Sequence, residues 1–197
     1  MTNLISFIWL ELQNIETIGV IFGVISVYLT VKENPWCWLL GIINIIIFGF
    51  IFYESSIFGQ FFLHIFFFIL NAYGWYEWIY GKEENQKIKI TRLKKKHYLT
   101  VFVILLFFAI LIDRGIKFIS EKENFTLLDS VITSLSFVAQ FFLARKIFES
   151  WILWIIVDIL SIVLFIQTGL YKISFFYFIL LILATSGYIS WQKKIEQ

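Results

Sequence analysis

Apolar and polar positions alternate along this chain in long blocks rather than in short periods. Runs of Ile, Leu, Val and Phe, each about as long as a bilayer is thick, are separated by short polar joints. The pattern predicts seven helical spans, at about Glu16–Val31, Trp36–Tyr53, Ile57–Tyr80, Tyr98–Ile116, Leu127–Ala144, Trp151–Gln167 and Ile173–Trp191. Asn34-Pro35 breaks the chain between the first two, and Glu54-Ser55-Ser56 makes a short turn before the third. Residues 1–15 mix apolar and polar side chains and read as a frayed or interfacial segment. The segment Lys82–His97 is plainly solvated, and Lys117–Asn124 reads as a charged loop.

Several spans carry polar stripes at helical spacing. Trp151, Trp154, Asp158 and Ser161 share one face of the sixth. Gln60, His64, Phe68, Asn71 and Trp75 run through the third, and Thr133, Ser136 and Gln140 through the fifth. Gly41 and Asn44 mark the second, and Ser174, Tyr177 and Tyr188 the seventh. The fourth has no polar face before Asp113 and reads as a connector. In the first, Glu16, Gly19, Gly23 and Ser26 form a narrow stripe against which another helix can pack closely. A carboxylate in hydrocarbon costs roughly 2.5–3.5 kcal/mol, so Asp158 is expected to face a cavity or a partner. Two indole rings near a carboxylate suit a flat organic cation.

Composition supports a membrane bundle. Of 197 residues 60% are hydrophobic and 21% aromatic, against roughly 45–50% apolar in soluble domains. A net charge of +2 is too small to argue for nucleic acid, and no nucleic-acid partner is expected. The single cysteine, Cys37, excludes an internal disulfide or a cysteine metal cluster. His64 has no second histidine in its span, so no metal is expected. No nucleophile elbow or Gly-rich phosphate loop stands out, and no enzymatic function or cofactor is expected. The N-terminus lacks a signal-peptide pattern, so no processing is expected. With seven spans, 12 of the 16 Lys and Arg fall on the side of the C-terminus and 4 on the other. The excess puts the N-terminus outside and the C-terminus in the cytoplasm, and the basic run against anionic lipid.

Shifting the chain by 113 residues lays Trp38 on Trp151, Gly74 on Gly187, Trp78 on Trp191 and Lys32 on Arg145, without a gap. Spans one to three then repeat as five to seven. The fourth restores direction, so the two triplets run parallel about a pseudo-twofold axis along the membrane normal. The expected organisation is an N-terminal segment (1–15), a first triplet (16–80), a linker region with the fourth helix (81–126), a second triplet (127–191) and a tail (192–197). Parallel repeats of this kind are a transporter architecture, with substrate held between the halves, where the polar stripes would converge.

The layout resembles the SWEET fold. The strings Gly41-Ile42-Ile43-Asn44, Tyr73-Gly74-Trp75-Tyr76-Glu77-Trp78, Arg145-Lys146, Glu149-Ser150-Trp151-Ile152-Leu153-Trp154 and Gly169-Leu170-Tyr171 resemble the PnuC family of bacterial vitamin transporters. The likeness covers about Glu16 to Trp191. It implies an all-α protein of the inner membrane, a homotrimer, and facilitated diffusion of nicotinamide riboside trapped by cytoplasmic phosphorylation. It implies that Trp151 and Trp154 line the site, with Asn44 and Gln140; the stripes add Asp158, His64, Asn71, Tyr177 and Thr133. His64 stands where nicotinamide riboside members carry Gln. Asp158 and Ser150 stand where Asn occurs in the family. These departures bear on the substrate, and thiamine, carried by relatives, is the alternative. Ionisable Asp158 and His64 within spans also leave a proton-coupled carrier open.

Overall fold

The computed structural model describes residues 2–54, 58–83, 86–119 and 127–196. Seven helices follow one another: α1 (Thr2–Val31), α2 (Trp36–Glu54), α3 (Phe58–Tyr80), α4 (Tyr98–Ile119), α5 (Leu127–Ala144), α6 (Ser150–Gln167) and α7 (Tyr171–Ile195). Each apolar block becomes one helix because a helix alone satisfies its backbone polar groups without water. Among the described residues, five stretches are long and apolar enough to cross a membrane: Trp36–Glu54, Lys95–Gly115, Leu127–Ala144, Ser150–Gln167 and Ile173–Ile195. Ile15–Val31 is a shorter apolar stretch, and α3 is interrupted by Gln60, His64, Asn71 and Glu77.

Several features differ from the sequence pattern, among them α7, which runs beyond the expected Ile173–Trp191 at both ends. The first helix starts at Thr2, so the mixed N-terminal residues continue into the span instead of forming a separate element. The fourth helix extends to Ile119. The basic segment is not simply solvated. It forms two short antiparallel strands, β1 (Lys82–Glu83) and β2 (Gln86–Lys87), and Ile88 is buried. Thr91 then bridges the α5–α6 turn, donating from its N–H to Lys146 O and accepting from Phe148 N–H. The expected turn at Ser55-Ser56 and most of the Lys117–Asn124 loop lie outside the described residues.

The principal helix contacts run in a closed order, α1–α2–α3–α5–α6–α7 and back to α1, while α4 lies outside against α5. Small residues set the close approaches. Asn44 Nδ2 donates to Gly19 O at 2.8 Å, joining α2 to the glycine stripe of α1. A Cβ at Gly23 would stand 2.9 Å from the same amide.

At the basic end, contacts recur at an offset of 113 residues. Both α1 and α5 end in a Schellman turn: Asn34 N–H reaches Leu29 O and Glu33 N–H reaches Thr30 O; Ile147 N–H reaches Phe142 O and Lys146 N–H reaches Leu143 O. Glu33 and Lys146 take the left-handed position usually given to glycine, with φ of 55° and 51°. The indole of Trp38 covers Gly74, and that of Trp151 covers Gly187. Trp38 meets Trp78 edge-on at 5.4 Å and 84°, and Trp151 meets Trp191 at 5.4 Å and 89°. Trp78 and Trp191 lie 6.3 Å apart, so the four indoles form one chain across the bundle.

Gly187→Ala puts a methyl 2.6 Å from the Trp151 ring, with Trp151 and Trp191 fully buried. Overpacking of this kind costs about 1–3 kcal/mol, so the melting temperature of purified protein should fall. Gly115→Ala, with nothing within 4 Å of the added carbon, should leave it unchanged or raised.

Candidate functional site

The sixth helix places its polar stripe inward. Trp151 is 1% exposed, Asp158 2% and Ser161 1%, while Trp154 is half-buried against the tryptophan cluster. The stripe emerges because the rest of α6 is Ile, Leu and Val, whose lipid-facing members Ile152, Ile156, Ile159 and Val163 are exposed. Asp158 Oδ1 and Trp151 Nε1 are buried and have no hydrogen-bond partner within the protein, and Ser161 Oγ is buried beside Tyr177. Buried polar atoms left this way cost free energy unless something completes them. From α7, Tyr177 lies within electrostatic reach of Asp158 and Ser161 and stacks on Phe165 at 5.4 Å. From α5, which packs on α6, Thr133 and Gln140 are buried.

The first-half residues sit differently. Asn44 uses its amide on the α1 backbone. Asn71 Nδ2 donates to Phe67 O at 2.8 Å, and its Oδ1 faces Gly41, where a Cβ would come within 2.6 Å. His64 Nδ1 pairs with Gln60 O at 2.8 Å, and its ring lies 5.0 Å from Phe52. It lines an apolar groove of α2 and α3 residues, among them Gly49, Tyr53 and Phe61, with no wall from α5, α6 or α7. The structure therefore brings Tyr177 of α7 to Asp158 and Ser161 and sets Trp154 against the cluster that holds Trp151, while Thr133 and Gln140 are buried on α5. It leaves His64 in a separate groove.

A polar network at the basic end was not singled out from the sequence, which reads its charges as topology signals, repeat counterparts and parts of the family strings. Glu33 accepts from Lys146 at 2.8 Å and from Lys194 at 2.5 Å, and Glu77 pairs with Arg145. Trp78 Nε1 donates to the carbonyls of Leu143 and Ala144, at 3.2 and 3.1 Å. The Lys146 ammonium lies 4.7 Å from the Trp78 ring centre, and Glu149 Oε2 accepts from Leu93 N–H at 2.8 Å. The legible signal was that Glu33 and Lys146, of opposite charge, are counterparts at the 113 offset. No group of three or more metal-ligating side chains occurs among the described residues.

Partial burial raises the Glu33 carboxyl, but hydrogen bonds from Lys146 and Lys194 outweigh it and hold the carboxyl below its ordinary value of 4.5. A carboxylate with a lowered pKa in the folded state stabilises fully above its unfolded value and loses that contribution as pH falls through the folded one. Melting curves of wild type and Glu33→Gln should therefore differ by a constant amount above about pH 5 and converge on acidification below pH 4.5.

Comparison with known proteins adds a family. A family described as nicotinamide mononucleotide transporter matches residues 13–193. The chain is 30% identical to the nicotinamide riboside transporter PnuC of Escherichia coli (strain K12), over 95% of this chain and 88% of that one. It is 22% identical to the Haemophilus influenzae protein of the same name, over 98% and 88%. A crystal structure of the vitamin B3 transporter PnuC superposes with a TM-score of 0.77 at 20% identity, covering 98% of this chain and 86% of that one. That likeness is one of fold.

Proposed function

The chain belongs to the nicotinamide mononucleotide transporter family, and on that premise we propose that it carries nicotinamide riboside across the cytoplasmic membrane by facilitated diffusion. The observation that carries the reading is the polar stripe of α6, with Trp151 and Trp154 on the same helix face as buried Asp158, whose Oδ1 has no partner within the protein. An indole face attracts a pyridinium ring. A carboxylate oxygen accepts from an amide or from ribose hydroxyls, as an uncompleted buried acceptor requires.

Charge separates the two substrates that the family description and the relatives' names suggest. A nucleotide brings a phosphate, which ordinarily meets Arg, Lys or a helix N-terminus. The candidate residues Trp151, Trp154, Asp158, Tyr177, Thr133 and Gln140 include no cation, and Asp158 would repel the phosphate. A nucleoside cation fits this set better.

The 3+1+3 reading, with α1–α3 and α5–α7 as parallel repeats and α4 as linker, is supported by the turns and tryptophan contacts that recur at the offset of 113. It places the substrate between the halves near the membrane midplane, and rocking of the triplets gives alternating access. The excess of Lys and Arg at the end holding the tryptophan chain puts that end in the cytoplasm. Phosphorylation of the arriving nucleoside then drives net uptake. The exposed apolar side chains of α4, among them Leu99, Phe102, Phe107 and Ile110, leave surface for the homotrimer that family resemblance implies.

The departures at Asp158 and His64 favour thiamine, also an aromatic cation, as the second reading. Titrating detergent-purified protein with each compound, read by tryptophan fluorescence, tests both. Saturable quenching is expected with nicotinamide riboside. Quenching by thiamine alone overturns the substrate in favour of the second reading. Trp154→Ala and Asp158→Ala should each weaken binding about 3- to 30-fold, the equivalent of roughly 0.5–2 kcal/mol. If both variants bind as wild type, the site is elsewhere. Uptake into vesicles should survive a protonophore, since no ion gradient drives it; its loss would favour proton coupling through Asp158.

A further inference from the structure

Glu33 and Lys146 occupy equivalent positions of the two triplets, 113 residues apart, and they pair with each other at 2.8 Å. Trp78 and Trp191 are likewise equivalent, and their rings lie 6.3 Å apart. When two units are related by a twofold axis, a residue touches its own counterpart only at the axis. Both pairs therefore stand on the axis that relates the triplets. The path between parallel repeats runs along that same axis.

We infer that Glu33–Lys146 and the Trp78–Trp191 contact form the gate at the basic end of the path, closed in this structure, and that the pair must separate for substrate to leave on that side. The inference rests on the 3+1+3 reading above. Like charges at counterpart positions would repel across the axis. Glu in one half and Lys in the other make the contact a latch.

Two further observations point the same way. Glu33 and Lys146 hold left-handed backbone, φ 55° and 51°, where glycine would be strain-free. The third Schellman turn, at the end of α6, does use a glycine, Gly169, with φ 75°. Strain of order 1–3 kcal/mol is retained where the side chain is needed. The neighbouring groups also bind one half to the other: Lys194 of α7 to Glu33, Arg145 after α5 to Glu77 of α3, and Trp78 of α3 to the α5 carbonyls.

The chain carries its own reporter. Cys37, the single cysteine, lies 1% exposed in the same cluster as Trp38, Trp78 and Trp191. Its rate of alkylation by N-ethylmaleimide, followed by mass spectrometry on the detergent-purified full chain, reads opening of this end. Glu33→Gln and Lys146→Gln should each be labelled about tenfold faster than wild type, the effect of losing a charge-assisted hydrogen bond. Glu33→Gly, which suits the left-handed turn better than Glu, should be labelled as fast, so a distorted turn cannot account for the result. The double variant Glu33→Gln/Lys146→Gln should fall well short of the product of the singles and match Glu33→Gln, because both singles remove the Glu33–Lys146 contact and Glu33→Gln also removes the bond from Lys194. Wild-type rates in the single variants would overturn the gate. So would a double variant whose effect is the product of the singles, since that is independent loosening. Labelling needs no substrate. If the rates rise as expected while nicotinamide riboside fails to bind, the substrate reading falls and the gate stands.

Discussion

The packing on which the bundle depends is indole on glycine, Trp38 on Gly74 and Trp151 on Gly187; the Trp78–Trp191 contact and the Glu33–Lys146 ion pair join the two at the basic end. In a membrane, helices gain little from hydrophobic burial against each other, because lipid is as apolar as a core. Interlocking shape and polar contacts must hold them. Here the shape is indole against glycine, Trp38 on Gly74 and Trp151 on Gly187. The polar part is Glu33 with Lys146 and Lys194, and Glu77 with Arg145. These groups sit at helix ends rather than mid-span, where their desolvation costs less.

The same economy explains how the stripe residues divide. Asn44 and Asn71 are engaged on helix backbone, Asn44 on Gly19 O and Asn71 on Phe67 O, and Asn44 thereby fastens α2 to α1. Asp158 and Trp151 keep polar atoms without a partner in the protein. A polar residue that is satisfied by the protein serves the fold. One that is buried and left incomplete keeps a stability cost that a ligand can recover. That distinction favours α6 over α3 as the wall of the site, although both carry a polar stripe of similar spacing in the sequence.

The two triplets are alike in turns and tryptophans but not in polar detail. Trp78 Nε1 is bound to the α5 carbonyls, whereas its counterpart Trp191 Nε1 has no partner. Glu77 answers Arg145, and the residue equivalent to Glu77 is Ser190. A strictly symmetric pair of halves would place like residues against like at the axis. Divergence at those few positions lets two similar halves hold together by opposite charge, and it concentrates the candidate site chemistry in the second half.

The sequence by itself determined the helices and the offset at which their tryptophans and glycines recur. Apolar blocks of bilayer length leave the backbone no alternative to helix. An ungapped offset of 113 aligns Trp38 with Trp151 and Gly74 with Gly187, and in the structure each indole covers its glycine. The tertiary structure alone decided which polar residues are already spoken for. Helical spacing shows that His64, Asn71 and Asp158 each lie on a stripe, but not what stands opposite. His64 meets Phe52 in an α2–α3 groove, Asn71 meets its own helix backbone, and Asp158 is left near Tyr177. The charges read as topology signals became cross-bundle ion pairs for the same reason. Glu33 and Lys146 are far apart in the chain, and only the packing of α1 and α7, with α5 and α6, brings them within 2.8 Å.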